Sequence, residues 1–140
     1  MALLVVTRGL PASGKSTWAL KMMAESHPAR IVRVNKDLLR EMLHGGVYTP
    51  GATEHQVVAA RDRLVRTFLY KFKCDVIVDD TNLNPAHIKT LQEIAKQIGV
   101  GCMIQDFTDV DIDECIRRDA SREKSVGEQV IREMAQSWLG

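Results

Sequence analysis

The segment at residues 9–16 places the strongest constraint on the fold of this chain. It reads GLPASGKS and matches the pattern G-x-x-x-x-G-K-[ST] at every fixed position. An apolar run, LLVVTR at 3–8, predicts a buried strand directly before it, and a helix is predicted from about Lys15 to Ser26. Because this pattern joins a strand to a helix through a glycine-rich loop, it predicts an α/β fold.

Further apolar runs alternate with segments of helical periodicity along the rest of the chain. Strands are predicted at 30–34, 75–80 and 100–107, and helices at 37–43, 53–72, 85–98, 111–124 and 127–138. The alternation predicts a mainly parallel sheet of about four strands flanked by helices, with a helical lid near the C-terminus. The length of 140 residues predicts one domain, residues 1–140.

Local signals set the ends and faces of two of these helices. Thr53 is predicted to cap the long helix at 53–72. The stripe expected to face the core in this helix is Val57, Leu64, Val65, Phe68 and Phe72. In the helix at 85–98, Asn84 is predicted to be the cap and Gly99 the stop signal.

Composition narrows the classes of partner and of cellular location. Nineteen basic and eighteen acidic residues give a formal net charge of +1, which is low for a protein that coats long stretches of nucleic acid. The three cysteines have no C-x-x-C or Cys/His ligand spacing, which argues against a zinc site or a disulfide framework. The first apolar run is too short for a signal peptide, and no stretch reaches the length of a membrane span. We therefore expect a cytoplasmic protein with no membrane partner.

The chemistry of a bound triphosphate explains the residue types at 9–16. Gly9 and Gly14 allow backbone N–H groups to turn inward around the phosphates, and the following helix directs its positive dipole end at the anion. Lys15 is expected to reach the β- and γ-phosphates, and the Ser16 hydroxyl is the predicted protein ligand of a Mg²⁺ cofactor. The predicted nucleotide-binding residues of this loop are Gly9, Ala12, Ser13, Gly14, Lys15, Ser16 and Thr17.

Other motifs separate the classes of protein that carry this loop. A GTPase would carry N-K-x-D, but NKDL at 35–38 has its aspartate one residue too early. A remodelling ATPase would normally carry a glutamate after the aspartate that ends the third strand, whereas Asp79 is followed by Asp80. Water is therefore not the favoured phosphate acceptor, and a kinase is the favoured class.

A kinase needs a base near the incoming hydroxyl and arginines over the transferring phosphoryl group. Asp37 follows the second strand, and Arg40 lies three residues later on the same helix face. Arg118 and Arg122 are four residues apart and are predicted to share one face of the helix at 111–124. Two alternatives stay open, since Asp37 could instead cap its helix and the arginines could be surface charges.

Four blocks of sequence together resemble the kinase domain of phage-type 5′-OH polynucleotide kinases. They are GLPASGKSTW at 9–18, NKDLLR at 35–40, DDTNLNP at 79–85 and IREMAQSWLG at 131–140. The resemblance runs along nearly the whole chain with similar spacings. It implies transfer of the γ-phosphate of ATP to the 5′-hydroxyl end of DNA or RNA.

The resemblance also implies functions for individual residues outside the loop. Asp37 becomes the general base on the 5′-hydroxyl, and Arg40 contacts the acceptor or the scissile phosphate. Asp80 falls at the functional strand-end aspartate on the substrate side. Arg122 falls at the lid arginine over the nucleotide phosphates, with Arg118 beside it.

Two segments depart from the family pattern. At 125–131 the sequence SVGEQVI lacks an expected proline, so the resemblance assigns no residue to the donor base. At 109–113 the sequence DVDID lacks the threonine of the D-x-D-x-T phosphatase motif found in longer members, so we predict no phosphatase activity. The chain could still be part of a larger repair protein.

The sequence leaves the acceptor open between a nucleic acid end and a small-molecule hydroxyl, with a non-catalytic nucleotide-binding module as a third possibility. The region 40–73 should decide it. The polar and aromatic candidates in this region are Arg40, His44, Tyr48, Arg61, Arg63 and Arg66. Arg61 lies nearest the apolar stripe and is predicted to point inward, whereas Arg63 and Arg66 are predicted to face outward. Preference for DNA or RNA and the oligomeric state stay open.

Overall fold

A computed structural model of the chain describes residues 2–27 and 30–140. Within these residues the strands are β1 (Leu3–Arg8), β2 (Ile31–Val34), β3 (Asp75–Val78) and β4 (Gly101–Asp106). The helices are α1 (Lys15–Ala24), α2 (Lys36–His44), α3 (Ala52–Tyr70), α4 (Pro85–Ile98), α5 (Ile112–Ala120) and α6 (Glu128–Trp138). The order of elements agrees with the alternation read from the sequence.

The four strands form one sheet in the order β2-β3-β1-β4. Every neighbouring pair is parallel; Leu4 is paired with Val76 in β3 and with Cys102 in β4. The predicted α/β fold with a parallel sheet of four strands is therefore confirmed. Because all strands run the same way, the loops that follow β1, β2 and β3 meet at one edge of the sheet.

Helices cover both faces of the two central strands. Alternate residues of β1, such as Leu4 and Val6, pack with α3 and α4, while Val5 packs with α1 on the opposite face. A separate apolar cluster attaches α5 and α6 to the loops that follow β1 and β3. Its buried members are Leu10, Leu83, Cys115 and Ile131. This second cluster fixes the lid region above the carboxyl ends of the strands.

Two details of α3 differ from the sequence prediction. The helix begins at Ala52 with Gly51 as its cap residue, and the Thr53 hydroxyl donates to the Thr49 carbonyl oxygen at 3.1 Å instead of capping. At the other end the helix stops at Tyr70, so the helical period no longer applies at Phe72. Phe72 is exposed, and the buried position near this end belongs to Leu69. The prediction that Phe72 faces the core is therefore wrong.

The predicted helix at 111–124 also ends early, at Ala120. The Arg122 N–H donates to the Asp119 carbonyl oxygen at 3.0 Å in a turn that follows α5. Arg118 and Arg122 therefore do not share one face of a helix. Among the residues that the structure describes, no helix has both the length and the apolar composition needed to cross a bilayer.

Candidate nucleotide and acceptor site

A cavity of about 780 Å³ opens at the carboxyl edge of the sheet, where the loops after β1, β2 and β3 meet. Predicted site residues that line it are Ala12, Gly14, Lys15, Ser16, Thr17, Asp37, Arg40, Asp80, Arg118 and Arg122. Gly9 and Ser13, the other two predicted residues, belong to the turn of the loop beside it. The structure thus brings residues from separate segments of sequence to one cavity.

The glycine-rich loop has a backbone that few other residues would permit. A Cβ at Gly9 would lie 2.6 Å from Ser13 Oγ and 2.8 Å from Phe107 Cβ, so a side chain there would clash. Gly14 has φ of 105°, and Ala12 also has a positive φ, of 63°. This loop directly precedes α1, so its shape leaves the helix N-terminus facing the cavity.

Lys15 folds back over the loop that precedes it. Its Nζ donates to the Leu10 carbonyl oxygen at 2.6 Å and lies 3.4 Å from Ser13 Oγ, and the residue is buried. Burial lowers the pKa of Lys15 to about 8, against the opposing effect of the Asp79 carboxylate. A phosphate beside Nζ would favour the charged form, so this lysine is suited to an anionic ligand.

Asp79 is a site residue to which the sequence patterns assigned no function. Ser16 Oγ donates to Asp79 Oδ2 at 2.9 Å, and Arg33 Nε donates to the same oxygen at 2.6 Å. Asp79 is buried, and its Oδ1 has no hydrogen-bond partner among the described residues. A serine hydroxyl and a carboxylate with a free oxygen are the hard ligands that Mg²⁺ prefers, so these residues fit the predicted cofactor. The available signal was the position of Asp79 as the first residue after a buried strand.

Asp80 lies on the other side of the same strand end, next to the start of α2. Its Oδ1 accepts a hydrogen bond from the Lys36 N–H at 2.9 Å. Burial raises the pKa of Asp80, and the Lys36 N–H partly offsets that effect. Its Oδ2 is buried without a partner among the described residues, so Asp80 retains one acceptor on the α2 side of the cavity.

The structure resolves the alternative role of Asp37. The cap of α2 is Asn35, whose Oδ1 accepts from the Leu38 N–H at 2.9 Å and whose Nδ2 donates to the Asp79 carbonyl oxygen at 2.5 Å. Asp37 lies inside the first turn, and its side chain is 88% exposed. Its carboxylate contacts Arg40 Nη1 at 2.6 Å. Asp37 therefore does not cap the helix, and its carboxylate is accessible from the cavity.

Arg40 is held in a fixed orientation between α2 and α3. Its Nη2 and Nε donate to the two carboxylate oxygens of Glu54 at 2.8 and 3.1 Å. This pairing with Glu54 raises the pKa of Arg40. The guanidinium also lies 5.3 Å from the centre of the Tyr48 ring. Glu54 is thus a positioning residue that sequence reasoning missed, since nothing local links it to Arg40.

The other three arginines of the region 40–73 divide as predicted. Arg61 is buried in α3 and pairs with Asp62, and its Nη1 has no partner among the described residues. Arg63 and Arg66 are exposed, and Arg66 donates to Gln97 at 2.9 Å. The inward orientation of Arg61 and the outward orientation of the other two arginines are confirmed.

The two lid arginines lie in different local structures and pair with different acidic residues. Arg118 lies in α5 and donates through Nε to Glu114 at 2.9 Å. Arg122 lies beyond the helix and donates to Asp119 Oδ1 at 2.5 Å. The buried Asp119 carboxylate also accepts from the Ser125 hydroxyl and from the backbone N–H groups of residues 126 and 127. Burial alone would raise the pKa of Asp119, but these donors hold it well below its usual range.

The block DDTNLNP supports the cavity through its asparagines. The buried Asn82 donates to the Thr7 carbonyl oxygen at 2.8 Å and adopts a positive φ of 45°. The Thr7 hydroxyl donates to the Asp80 carbonyl oxygen at 3.0 Å, and Asn84 caps α4 as predicted. These bonds join the ends of β1 and β3, so this segment fixes the position of the glycine-rich loop relative to Asp79 and Asp80.

Comparisons with known proteins agree with this arrangement. A protein-family model described as AAA domain matches residues 4–138. Two structures of the Pnkp1/Rnl/Hen1 complex, described in one case as an RNA repair complex, match with TM-scores of 0.74 and 0.84 and identities of 25% and 23%. They cover 84% and 99% of this chain, but the chain spans only 38% and 44% of the chains it matches.

Two further solved structures share the same fold. The Mycobacterium tuberculosis APS kinase CysC, in complex with AMPPNP and APS, matches with a TM-score of 0.67 and 20% identity, and covers 86% of this chain and 69% of its own. Chaetomium thermophilum Kti12, in complex with ADP-AlF3, matches with a TM-score of 0.65 and 22% identity over 97% of this chain and 78% of its own. These likenesses show that the fold is shared and leave the acceptor to further argument.

The burial of Lys15 predicts that the free energy of unfolding of the nucleotide-free protein depends on pH. The pKa is about 8 in the folded chain against an ordinary value of 10.5, so between these values the unfolded chain binds a proton that the folded chain has released. Stability of the wild type should therefore rise with pH in this window. We expect Lys15→Met to be more stable than wild type near neutral pH, with an advantage that shrinks by about 2–3 kcal/mol towards pH 10.

Urea unfolding of the two proteins across that pH range measures this effect. Lys21→Met is the matched control, because Lys21 is exposed and pairs only weakly with Glu25. Its difference from wild type should not change with pH in the same window. An advantage of Lys15→Met that stays constant would mean that Lys15 remains charged when buried.

Asp119 predicts a second effect on stability. In Asp119→Asn, the amide group presents N–H donors towards the N–H groups that the carboxylate now accepts from. We expect a loss of about 1–3 kcal/mol in the free energy of unfolding, from buried donors left without an acceptor. Asp113→Asn, an exposed aspartate on the same helix, should cost far less. Equal unfolding midpoints in urea for the two variants would contradict this account.

Proposed function

We propose that this chain, which belongs to the AAA domain family, is a kinase that acts on nucleic acid ends. It transfers the γ-phosphate of ATP or another nucleoside triphosphate to the 5′-hydroxyl end of DNA or RNA. The observation that carries the proposal is the position of Asp37. Its carboxylate is exposed and does not cap the helix, and it lines the same cavity as Lys15 of the glycine-rich loop. A base and a phosphate-binding loop in one cavity support transfer to a hydroxyl.

The glycine-rich loop binds the donor in this proposal. Backbone N–H groups of the loop and the N-terminus of α1 contact the phosphates, and Lys15 leaves the Leu10 carbonyl oxygen to reach the β- and γ-phosphates. Ser16 and Asp79 would hold Mg²⁺, which when bound offsets negative charge on the β- and γ-phosphates. The negative charge of the phosphates would raise the pKa of Lys15 again, so donor binding and lysine charge reinforce each other.

The start of α2 binds the acceptor. Asp37 accepts the proton of the attacking hydroxyl as the oxygen–phosphorus bond forms. Arg40, fixed by its two bonds to Glu54, keeps Asp37 in place and presents positive charge to the phosphate oxygens. Asp80 contributes a buried acceptor on the same side of the cavity, where a second hydroxyl or a base edge of the substrate could donate to it.

The lid region covers the transferring group. Arg122 and Arg118 line the same cavity as the start of α2, and both side chains are partly exposed, at 42% and 44%. In the nucleotide-free protein Arg122 is paired with Asp119, and Arg118 is paired with Glu114. A phosphate carries more negative charge than either carboxylate, so it can compete for these arginines. The helices around them would exclude water, which protects the triphosphate from hydrolysis.

Three observations favour a nucleic acid end over other acceptors. The sequence blocks at 35–40 and 79–85 resemble polynucleotide kinases, and two of the matched structures are of Pnkp1/Rnl/Hen1 complexes. The net charge of +1 suits an enzyme that grips a strand end rather than a long duplex. Residues 1–140 would then form the kinase domain of an end-healing repair system.

A small-molecule hydroxyl is the second candidate acceptor. The fold shared with APS kinase favours it, and so does the acceptor side of the cavity, where three of the five N–H donors of Arg40 are already bonded to Glu54 and Asp37. An arginine in that state has less capacity to bind the phosphates of a polymer. The two candidates share the base and the donor loop, and differ only in what enters next to Asp37.

Radiolabel transfer separates these candidates. The protein is incubated with γ-labelled ATP and Mg²⁺, together with oligonucleotides that carry either a 5′-hydroxyl or a 5′-phosphate. We expect label on the 5′-hydroxyl strands of DNA or RNA alone, and none when EDTA removes the metal. Absence of label on every strand, together with intact ATP binding, would overturn the nucleic acid acceptor and favour a small molecule.

Asp37→Asn tests the general base. The amide keeps the shape of the side chain but cannot accept the proton of the hydroxyl, so turnover should fall by about 10²–10⁴-fold with little change in affinity for ATP. Because Asn35 caps α2, Asp37→Ala should be equally inactive and should melt close to wild type. An active Asn variant beside an inactive Ala variant would show that only the polar shape of Asp37 matters.

Arg122→Lys tests the lid. Lysine keeps the charge but loses the planar fork that bridges two phosphate oxygens, so we expect a loss mainly in kcat. Arg118→Lys is the matched control on the neighbouring arginine, with a milder loss expected. Steady-state kinetics of both variants decide the matter. If both turn over like wild type, the two arginines are surface charges; if Arg118→Lys is the inactive one, it is the residue that covers the phosphates.

A further inference from the structure

Arg33 contacts the two residues that the proposed function assigns to Mg²⁺. Its Nε donates to Asp79 Oδ2 at 2.6 Å, and its Nη2 lies 3.4 Å from Ser16 Oγ. Ser16 Oγ donates to the same Asp79 oxygen at 2.9 Å. The positively charged guanidinium of Arg33 therefore contacts the hydroxyl and the carboxylate that would hold the metal.

A guanidinium in this place and a divalent cation compete for the same oxygens. Mg²⁺ binds oxygen at about 2.0–2.1 Å and keeps a near-octahedral shell with several waters. Asp79 Oδ2 already accepts from both Arg33 and Ser16, and like charges a few ångströms apart repel strongly away from bulk water. Asp79 Oδ1, buried and without a hydrogen-bond partner among the described residues, can serve a metal fully only after this repulsion is relieved.

Arg33 is placed so that a bound nucleotide could relieve its repulsion of the metal ion. The side chain reaches from β2 to the end of β3 and is 16% exposed, and it contacts Ser16 and Asp79, which both line the cavity. A triphosphate in the glycine-rich loop brings several negative oxygens close to Ser16. An arginine can bind two such oxygens at once through its planar fork, which a free cation does not offer.

We propose that Arg33 determines the form in which metal enters the site. Its guanidinium stays bonded to Asp79 and Ser16 in the nucleotide-free protein and so weakens the binding of free divalent cations there. When a nucleoside triphosphate supplies phosphate oxygens, the guanidinium binds those oxygens and leaves Asp79 and Ser16. The site then takes up metal as the metal–nucleotide complex. This inference rests on the proposed function for the assignment of Ser16 and Asp79 to Mg²⁺, and it does not depend on the acceptor.

The direct test is metal binding by the nucleotide-free protein. Mn²⁺ serves as the probe, and its free fraction is measured by electron paramagnetic resonance in titrations of wild type, Arg33→Gln and Arg33→Lys. We expect Arg33→Gln to bind Mn²⁺ about tenfold more tightly than wild type, because the competing charge is gone. Arg33→Lys keeps the charge and should stay close to wild type. Arg132→Gln, which removes the same charge from α6, should leave Mn²⁺ affinity unchanged.

A second measurement on the wild-type chain decides the question even if Arg33→Gln fails to fold. The Nε–H resonance of Arg33 is identified by its absence in Arg33→Lys. Mg²⁺ alone should leave this resonance in place, whereas Mg²⁺ with a non-hydrolysable triphosphate should shift it.

Three results would overturn the proposal. They are equal Mn²⁺ affinities for wild type and a folded Arg33→Gln, equal tightening in Arg132→Gln, and an Arg33 resonance that Mg²⁺ alone shifts as far as the nucleotide complex does. Failure of oligonucleotide phosphorylation, by contrast, would overturn the acceptor assignment and leave these metal measurements standing.

Discussion

The carboxyl end of β3 is the point on which the rest of the site depends. The Asp79 N–H donates to the Val34 carbonyl oxygen, and Asn35 bonds to the Asp79 carbonyl oxygen, so the end of β2 and the start of α2 are tied to it. The Asp79 carboxylate receives Ser16 from the glycine-rich loop. Since a buried carboxylate is tolerated only when it is hydrogen-bonded or paired, the burial of Asp79 requires these partners to be in place.

The same requirement explains why the site's charges occur in pairs. Asp79 faces Arg33, Asp119 faces Arg122, and Arg40 faces Glu54. Lys15 is the exception among these charges, because its Nζ contacts neutral oxygens and its pKa falls to about 8. A buried cation with lowered pKa and no direct ionic partner is stabilised by an incoming anion, which is what a phosphate-binding lysine needs.

Much of the fold was predictable because its signals are local. The glycine-rich loop follows directly after an apolar strand. Asn84 and Gly99 lie next to the first and last residues of α4 in the sequence, so each marks a helix end without help from distant residues. The cavity residues of the loop and of α2 followed from where parallel strands end. Asp37 and Arg40 could be placed at the cavity for this reason, although their chemical roles came from the resemblance.

The parts that were missed depend on contacts between distant residues. Glu54 lies 14 residues from Arg40, and Arg33 lies 46 residues from Asp79, so neither pairing has a local pattern. The early end of α5 was missed for a different reason: Asp119 bonds to residues 125–127 only six to eight positions away, and the chain turns before Arg122. Helical periodicity predicts which residues share a face only while the helix lasts, which is why Phe72 and Arg122 were misplaced.

In the proposed function, one cavity holds a nucleoside triphosphate on the glycine-rich loop and a 5′-hydroxyl beside Asp37. A crystal structure with a non-hydrolysable ATP analogue, Mg²⁺ and a 5′-hydroxyl dinucleotide tests it most directly. We expect the 5′-oxygen within about 3.2 Å of an Asp37 carboxylate oxygen and in line with the γ-phosphorus atom. A dinucleotide whose 5′-oxygen lies away from Asp37 while the nucleotide occupies the loop would contradict the account.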